Sequence, residues 1–472
     1  MKKGILKKIL SLIFIFLISI SLVGCSFGSI GFIGDEPTTK TTNTQEITNL
    51  ESQEVREKNA YEIAVENGYE GSLDEWLNDL VKNNAYTSIY DLAKENGIFN
   101  GSLEDFIQSL KGTAGSFNIQ EGTSYGLNSV VSILCNFTIT SKYRDFWTGR
   151  TYTETSTSTS AGSGVIIEDD KENGVAYIIT NYHVVYYQNA DSPISNDILI
   201  KLYGMELNKY KIPAKYIGGS STYDIAVLRI ESDIYKNSGA YKASMGDSSK
   251  LLVGNQVIAI GNPQAEGISA TYGIISVVND KISLSSSSSS GSSVSYREIR
   301  IDAAVNSGNS GGGLFDIDGN LIGIVNAKSV DTSIEGMCYA IPINLAYAVA
   351  KKIINTCDGE TATTIKKNLL GIGIEVLSSR SEYDKETKTT RIFQEISVNE
   401  VTDGGVSYSK LMVGDIIVNI TYNGVSYPVN DLYSLEDVLL TTNLGDTVEL
   451  YIYRAGNYES IPLVLSLDTD VL

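Results

Sequence analysis

Two hydrophobic patterns divide the chain. From about Tyr125 to Thr356, short apolar runs recur at close spacing, each broken by Gly, Asn or Ser. Val130–Leu134, Ser163–Ile167, Ala176–Thr180, Ile225–Ile230 and Gln256–Ile260 are short and mostly β-branched, so each predicts a strand. Many such runs in one stretch predict barrels or sandwiches. Upstream the pattern is helical and it repeats. Ala60–Gly68 returns as Ile89–Gly97, and Gly71–Leu77 as Gly101–Ile107, a period of about 30 residues that marks small stacked helical units. Each unit reads as a helix stopped at Asn-Gly, then a second helix capped by Ser72 or Ser102. Glu75 and Asp105 stand where a capping box places its acid. Tyr61, Ile63, Trp76, Leu77 and their repeat partners form the expected core of this 59–112 region. The polar stretches Ser141–Ser160 and Ser283–Ser295 interrupt the strand pattern and are expected to be mobile, the second being a low-complexity serine insertion.

The N-terminus reads as an export signal over residues 1–24. Lys2, Lys3, Lys7 and Lys8 precede an apolar stretch from Ile9 to Val23. It closes on Leu22-Val23-Gly24-Cys25, which resembles the lipobox of bacterial lipoproteins. The resemblance implies that Cys25 is acylated, becomes the first mature residue and holds the protein on the outer face of the cell membrane. Residues 25–58, rich in Thr, Glu and Asn, are expected to form a disordered tether.

Charge and composition then narrow the chemistry. A net charge of −20 argues against nucleic acid as a partner. With one His in 472 residues and no CxxC pair, no metal site and no cofactor is expected. Any mechanism that uses imidazole must use His183. With Cys25 acylated, Cys135, Cys338 and Cys357 would be left as thiols, an odd number that suggests no disulfide framework.

Candidate chemistry centres on Asn306-Ser307-Gly308-Asn309-Ser310-Gly311-Gly312-Gly313. Glycines on both sides of a serine let the backbone turn tightly enough to aim neighbouring N–H groups at one point. In acyl transfer the serine attacks a carbonyl, whose oxygen turns negative where the N–H groups of Gly308 and Ser310 can receive it. Upstream, His183 ends an apolar strand in Thr180-Asn-Tyr-His-Val-Val185. Asp224 leads into the apolar run Ile225–Leu228, where burial demands a hydrogen-bonding partner such as an imidazole N–H. These three segments, in this order, resemble the trypsin-like serine proteases of the HtrA (Deg) family. The likeness continues in Arg300–Val305, Asn320–Ile324 and Tyr339–Ile343.

The resemblance implies a mainly β protein, with a trypsin-like double β-barrel over 122–356. His183 and Asp224 would come from one barrel and Ser310 from the other. Ser310 would be the nucleophile, His183 the general base and then acid, and Asp224 the group fixing the imidazole. Gly308 and Ser310, with Asn309 as a third donor, would form the oxyanion hole. Ala304 would lie near the base of the first specificity pocket, and its apolar character implies cleavage after small or medium aliphatic residues. Where the family pattern has Pro this chain has Ser307, so the loop is expected to be freer and resting activity low. A homotrimer is also implied, with Tyr125 a candidate contact.

The region 366–468 resembles an HtrA-type PDZ domain, through Asn368–Val376, Gly404–Ile417 and Leu444–Leu450. Leu369-Leu370-Gly371-Ile372 matches the loop that holds a peptide's terminal carboxylate, with the peptide adding as a strand. The implied function is a lipid-anchored endopeptidase acting on unfolded or misfolded exported proteins. The alternative is a non-catalytic chaperone or scaffold; an adhesin rests on the repeats alone.

Overall fold

A computed structural model describes residues 117–205, 211–285, 293–327, 337–357, 361–362, 364–385 and 387–470. The export signal, Cys25, the tether, the helical repeats and the core of the serine insertion (286–292) lie outside the described residues. The described residues belong to one compact unit, Ser116–Leu472.

This unit opens with helix α1 (Phe117–Ser129), although strand was expected from about Tyr125. Its glycines explain the difference. A Cβ on Gly122 would lie 2.3 Å from the Ile317 carbonyl oxygen, and one on Gly126 2.5 Å from the Ile260 side chain. The helix reaches its neighbours through bare backbone, which a search for apolar periodicity does not detect.

Strands β1 (Val130–Arg144), β2 (Thr151–Asp170), β3 (Val175–Thr180), β4 (Asp197–Leu202), β5 (Ile212–Ser220) and β6 (Ile225–Glu231) close an antiparallel barrel in the order β1-β2-β3-β6-β5-β4. Val131, Ile133, Cys135 and Phe137 alternate inward along β1, as a period of two requires. Two single-turn helices accompany it, α2 (Tyr182–Val185) after β3 and α3 (Asp233–Lys236) after β6.

The second sheet contains β7 (Ser244–Met245), β8 (Gln256–Gly261), β9 (Ser269–Ser285), β10 (Ser293–Ile301), β11 (Gly313–Asp316), β12 (Asn320–Val325) and β13 (Cys338–Pro342). Its order is β11-β8-β9-β10-β13-β12-β7, and β11 also pairs with β12. That last pairing closes six strands into a second barrel and leaves β7 as a parallel edge. Helix α4 (Ile343–Thr356) buries Leu345, Val349 and Ile353 in a cluster that includes Ile179 and Val227 of the first barrel and Ile258 and Ile324 of the second. The expectation of a mainly β double barrel holds.

Ser141–Ser160 departs from expectation. These residues complete β1 and β2, which stay in register as far as Arg144↔Thr151. The stretch is polar because both faces meet water, not because it lacks structure. Ladder hydrogen bonds replace burial there.

The C-terminal part contains β14 (Lys366–Asn368), β15 (Ile372–Asp384), β16 (Thr389–Val401), β17 (Ile416–Tyr422), β18 (Val425–Pro428), α5 (Ser434–Leu439), β19 (Thr447–Arg454), β20 (Asn457–Val464) and β21 (Asp468–Asp470). The main sheet runs β15-β16-β17-β19-β20, with β18 on β17 and a separate β14–β21 pair. It has its own core, built from Ile396, Ile417, Ile420, Val448, Leu450 and Leu463. Polar contacts at α5 dock it on the barrels. Arg297 holds both Asp437 oxygens at 3.0 Å, while Glu436 accepts from Tyr223 at 2.7 Å and from Lys367 at 2.6 Å. Burial works against the Glu436 carboxylate, yet Lys367 holds it below the usual range.

Candidate active site

Strand β3 ends at Thr180, and the chain turns through α2 because Val184 and Val185 are buried while the polar residues before them face Asp224. Four hydrogen bonds converge on that aspartate. Its carbonyl accepts from Asn181 Nδ2 at 3.0 Å and Tyr182 N at 3.1 Å. Its carboxylate accepts from the His183 backbone N–H at 3.0 Å and lies 2.7 Å from His183 Nδ1. An ionised carboxylate can only accept, so Nδ1 carries the proton and Nε2 is left as the basic nitrogen. Asp224 is buried and adopts a left-handed conformation, φ 52°. An L-residue there costs about 1 kcal/mol or more, which the four bonds offset.

The Ser310 loop lies between β10 and β11 and is wedged against the first barrel. Gly311 has φ 83°, and a Cβ on it would sit 2.2 Å from both the Ser163 carbonyl and Thr180 Oγ1. The serine loop therefore abuts the chain just ahead of His183. Gly308, at φ 99°, leaves no room for a Cβ because the Asn262 carbonyl would be 2.3 Å away. Among the described residues, the N–H groups of Gly308 and Ser310 donate to nothing. The N–H of Asn309 is committed to the Asn306 carbonyl at 3.0 Å, so this conformation offers two free donors where three were expected. No hydrogen bond joins Ser310 Oγ to His183 among the described residues. Such bonds tighten when substrate excludes water from the site.

Ser307, standing in place of the expected proline, is held from outside. Its carbonyl accepts from Gln264 N at 2.8 Å, and Gln264 and Ala265 are themselves left-handed, at φ 55° and 60°. Ala304 is exposed, and its carbonyl accepts from Thr271 Oγ1 at 2.8 Å.

One residue escaped the sequence reading. Ser163, fully buried on β2, donates its N–H to the Ser310 carbonyl at 2.8 Å and its hydroxyl to the Gly308 carbonyl at 2.7 Å. The same hydroxyl accepts from Asn262 N at 2.8 Å, and the Ser163 carbonyl accepts from Thr180 Oγ1 at 2.7 Å. It sutures the serine loop to the barrel that carries His183. Its only signal was a serine between Gly162 and Gly164 just ahead of the apolar run Val165–Ile167, a pattern that also describes a turn.

Residues 162–324 match the family described as a trypsin-like peptidase domain. The serine protease Do-like HtrA of Lactococcus lactis subsp. cremoris (strain MG1363) is 33% identical over 330 residues, covering 66% of this chain and 72% of the relative. This chain belongs to the HtrA family of serine endopeptidases. A second HtrA relative, from Lactococcus lactis subsp. lactis (strain IL1403), is 32% identical over 369 residues, covering 73% of this chain and 82% of its own. The periplasmic pH-dependent serine endoprotease DegQ of Escherichia coli (strain K12) is 33% identical over 313 residues, covering 65% and 60%. Among solved structures, the HtrA-type protease AlgW with a decapeptide aligns at TM-score 0.46 and 26% identity, over 74% of this chain and 98% of that one. No group of three or more His, Cys, Asp or Glu among the described residues of this HtrA chain could hold a metal ion. No described helix is long and apolar enough to cross a membrane.

Proposed function

We propose that this chain is an extracytoplasmic endopeptidase that cleaves misfolded or damaged exported proteins through an acyl-enzyme. The observation that carries the mechanism is the 2.7 Å His183–Asp224 contact beside a glycine loop that holds Ser310 and two unengaged N–H groups. Ser310 Oγ attacks the substrate carbonyl carbon as His183 Nε2 takes its proton. The carbonyl oxygen becomes an oxyanion facing the N–H groups of Gly308 and Ser310, each worth about 3 kcal/mol of barrier. The imidazolium, held by Asp224, gives its proton to the leaving amine as the C–N bond breaks. A water, deprotonated by His183, then attacks the ester carbonyl, and the imidazolium returns that proton to Ser310 Oγ as the ester C–O bond breaks. Digestion of casein by the full chain should vanish in Ser310→Ala. Equal digestion by both would remove Ser310 from this role, and none by either would favour the scaffold.

Cleavage after small or medium aliphatic residues follows from Ala304, because an apolar pocket floor does not offset the cost of burying a cation. Mass mapping of the fragments from a denatured protein checks it, and efficient cutting after Arg overturns it.

Residues 366–468 are read as a PDZ domain that takes peptide C-termini. Supporting this, β15 ends the sheet with one edge unpaired, and Gly371 before it is left-handed at φ 68°. Leu369 N is committed to the Leu467 carbonyl at 2.8 Å, which leaves Leu370, Gly371 and Ile372 of this loop to donate to a terminal carboxylate. An added strand would continue the ladder. The lipid anchor at Cys25 and a homotrimer with Tyr125 in its contact complete the proposal; Tyr125 is half exposed on α1.

A further inference from the structure

The arm formed by β1 and β2 ends in a feature that peptide hydrolysis does not use. Beyond Asn136, where β4 stops pairing with β1, the two strands pair only with each other, from Phe137↔Ser158 to Arg144↔Thr151. The loop after α2 holds the base of this arm, with Asp191 N donating to the Thr138 carbonyl and the Asp191 carboxylate accepting from Thr140, so the four pairs from Ser141 to Arg144 carry the tip about 13 Å clear of it. At the tip the Asp145 carboxylate accepts from Trp147 N, Thr148 N and Thr148 Oγ1, and Gly149 N closes the turn on the Asp145 carbonyl at 2.9 Å. This ordered turn holds Phe146 and Trp147 in water, 90% and 91% exposed, with their rings edge to face at 5.8 Å. Tyr143 and Tyr152 stack behind them at 5.6 Å.

A loop built to hold two large aromatic rings in solvent has a partner there. Charge selects which. From Lys142 to Tyr152 the basic side chains are Lys142, Arg144 and Arg150, against the single carboxylate of Asp145. Hydrogen bonds to the backbone and hydroxyl of Thr148 hold that carboxyl below its usual range, so it stays ionised and engaged within the turn. The rest of the chain is acidic, at −20 overall, which alone would repel anionic lipid. Screening decides between the two effects. At physiological salt the Debye length is about 8 Å, so the field of the body is attenuated roughly fivefold over the free length of the arm. The tip presents its own local positive charge.

We propose that this tip inserts into the headgroup layer of an anionic lipid surface, with Trp147, Phe146 and the tyrosines at the interface and the three cations on lipid phosphates. Aromatic rings flanked by Lys and Arg are the side chains that this layer accommodates. The inference goes beyond the peptidase reading, and it does not require an acyl group on Cys25.

The test uses the full chain with Trp76→Phe, so that Trp147 is the one indole, reconstituted in phosphatidylglycerol-containing vesicles brominated near the glycerol end of the acyl chains. Trp147 emission should shift to the blue and be quenched by bromine. Arg144→Ser with Arg150→Ser should lower the docked-to-undocked ratio roughly thirtyfold. Cys25→Ala should leave the quenching in place, which separates the tip from the anchor. Trp147 emission that stays red-shifted and unquenched overturns the proposal. A blue shift without quenching that grows with protein density also overturns it, assigning the tip to contact between copies. Hydrolysis of a soluble peptide, unchanged in Phe146→Ser with Trp147→Ser, checks that the fold is intact.

Discussion

The two barrels supply their halves of the proposed site in opposite ways. In the first, His183 and Asp224 are already joined, and the strain at Asp224 is held by four bonds made within forty-odd residues of chain. In the second, Ser310 sits on a loop whose shape is imposed from outside, by Ser163 and Thr180 of the first barrel and by the left-handed turn at Gln264. One half is self-contained and the other is borrowed. Loss of the first should therefore be a chemical defect, and loss of the second a defect of loop geometry.

The strongest way to isolate the self-contained half is Asp224→Asn. Asn tolerates φ near 52° and keeps the shape of the side chain, so the fold should survive. The amide leaves the imidazole in the wrong tautomer, and kcat on a peptide substrate should fall about ten-thousandfold with the melting temperature nearly unchanged. A large drop in melting temperature would show that the aspartate is mainly structural.

The borrowed half is probed by Ser163→Ala. That change strands the Gly308 carbonyl and Asn262 N, each buried group costing about 1–3 kcal/mol. Stability and kcat should fall together, by one to two orders of magnitude in kcat, while Asp224 and His183 are untouched. Full turnover in this variant would show that the glycines hold the loop without help.

Asp437 offers the smallest effect and bears on how α5 docks the C-terminal part on the barrels. Burial pushes its carboxyl up to about 6, against the pull of Arg297. Docked Asp437 thus binds its proton more tightly than it would when free in water. The contribution of Asp437 to docking is fullest below the ordinary carboxylate range and is lost as pH rises through about 6, opposite in sign to that of Glu436, whose lowered carboxyl favours docking above its own range. Asp437→Asn should remove this pH dependence. Hydrogen exchange of α5, followed across that range, measures it, and an identical slope in the variant refutes it.

The contrast also explains what the sequence showed and hid. The barrels were legible because buried strands leave apolar runs, and the His183, Asp224 and Ser310 segments because each sits at the end of one. The closing β11–β12 pair was implied by the family likeness alone. The arm was not legible, since a two-stranded ladder in water places no demand on side-chain polarity and its Thr and Ser resemble a loop. Helix α1 was hidden for the opposite reason, packing through glycine. Ser163 was missed because its role is set by the backbone of another segment, 145 residues away.

Strand β2 has one further consequence. Residues Thr155 to Ser160 alternate Thr and Ser so closely that the hairpin would zip nearly as well two residues out of step. Gly162 and Gly164 forbid the shift: a side chain on the first would meet Val184 at 2.6 Å, and one on the second would meet Ile178 at 2.5 Å. Sliding by two would bring Ser160 into the place of Gly162. The glycine pair acts as the detent on a ratchet, setting a monotonous ribbon at its single working notch and keeping the distant Ser310 loop aligned.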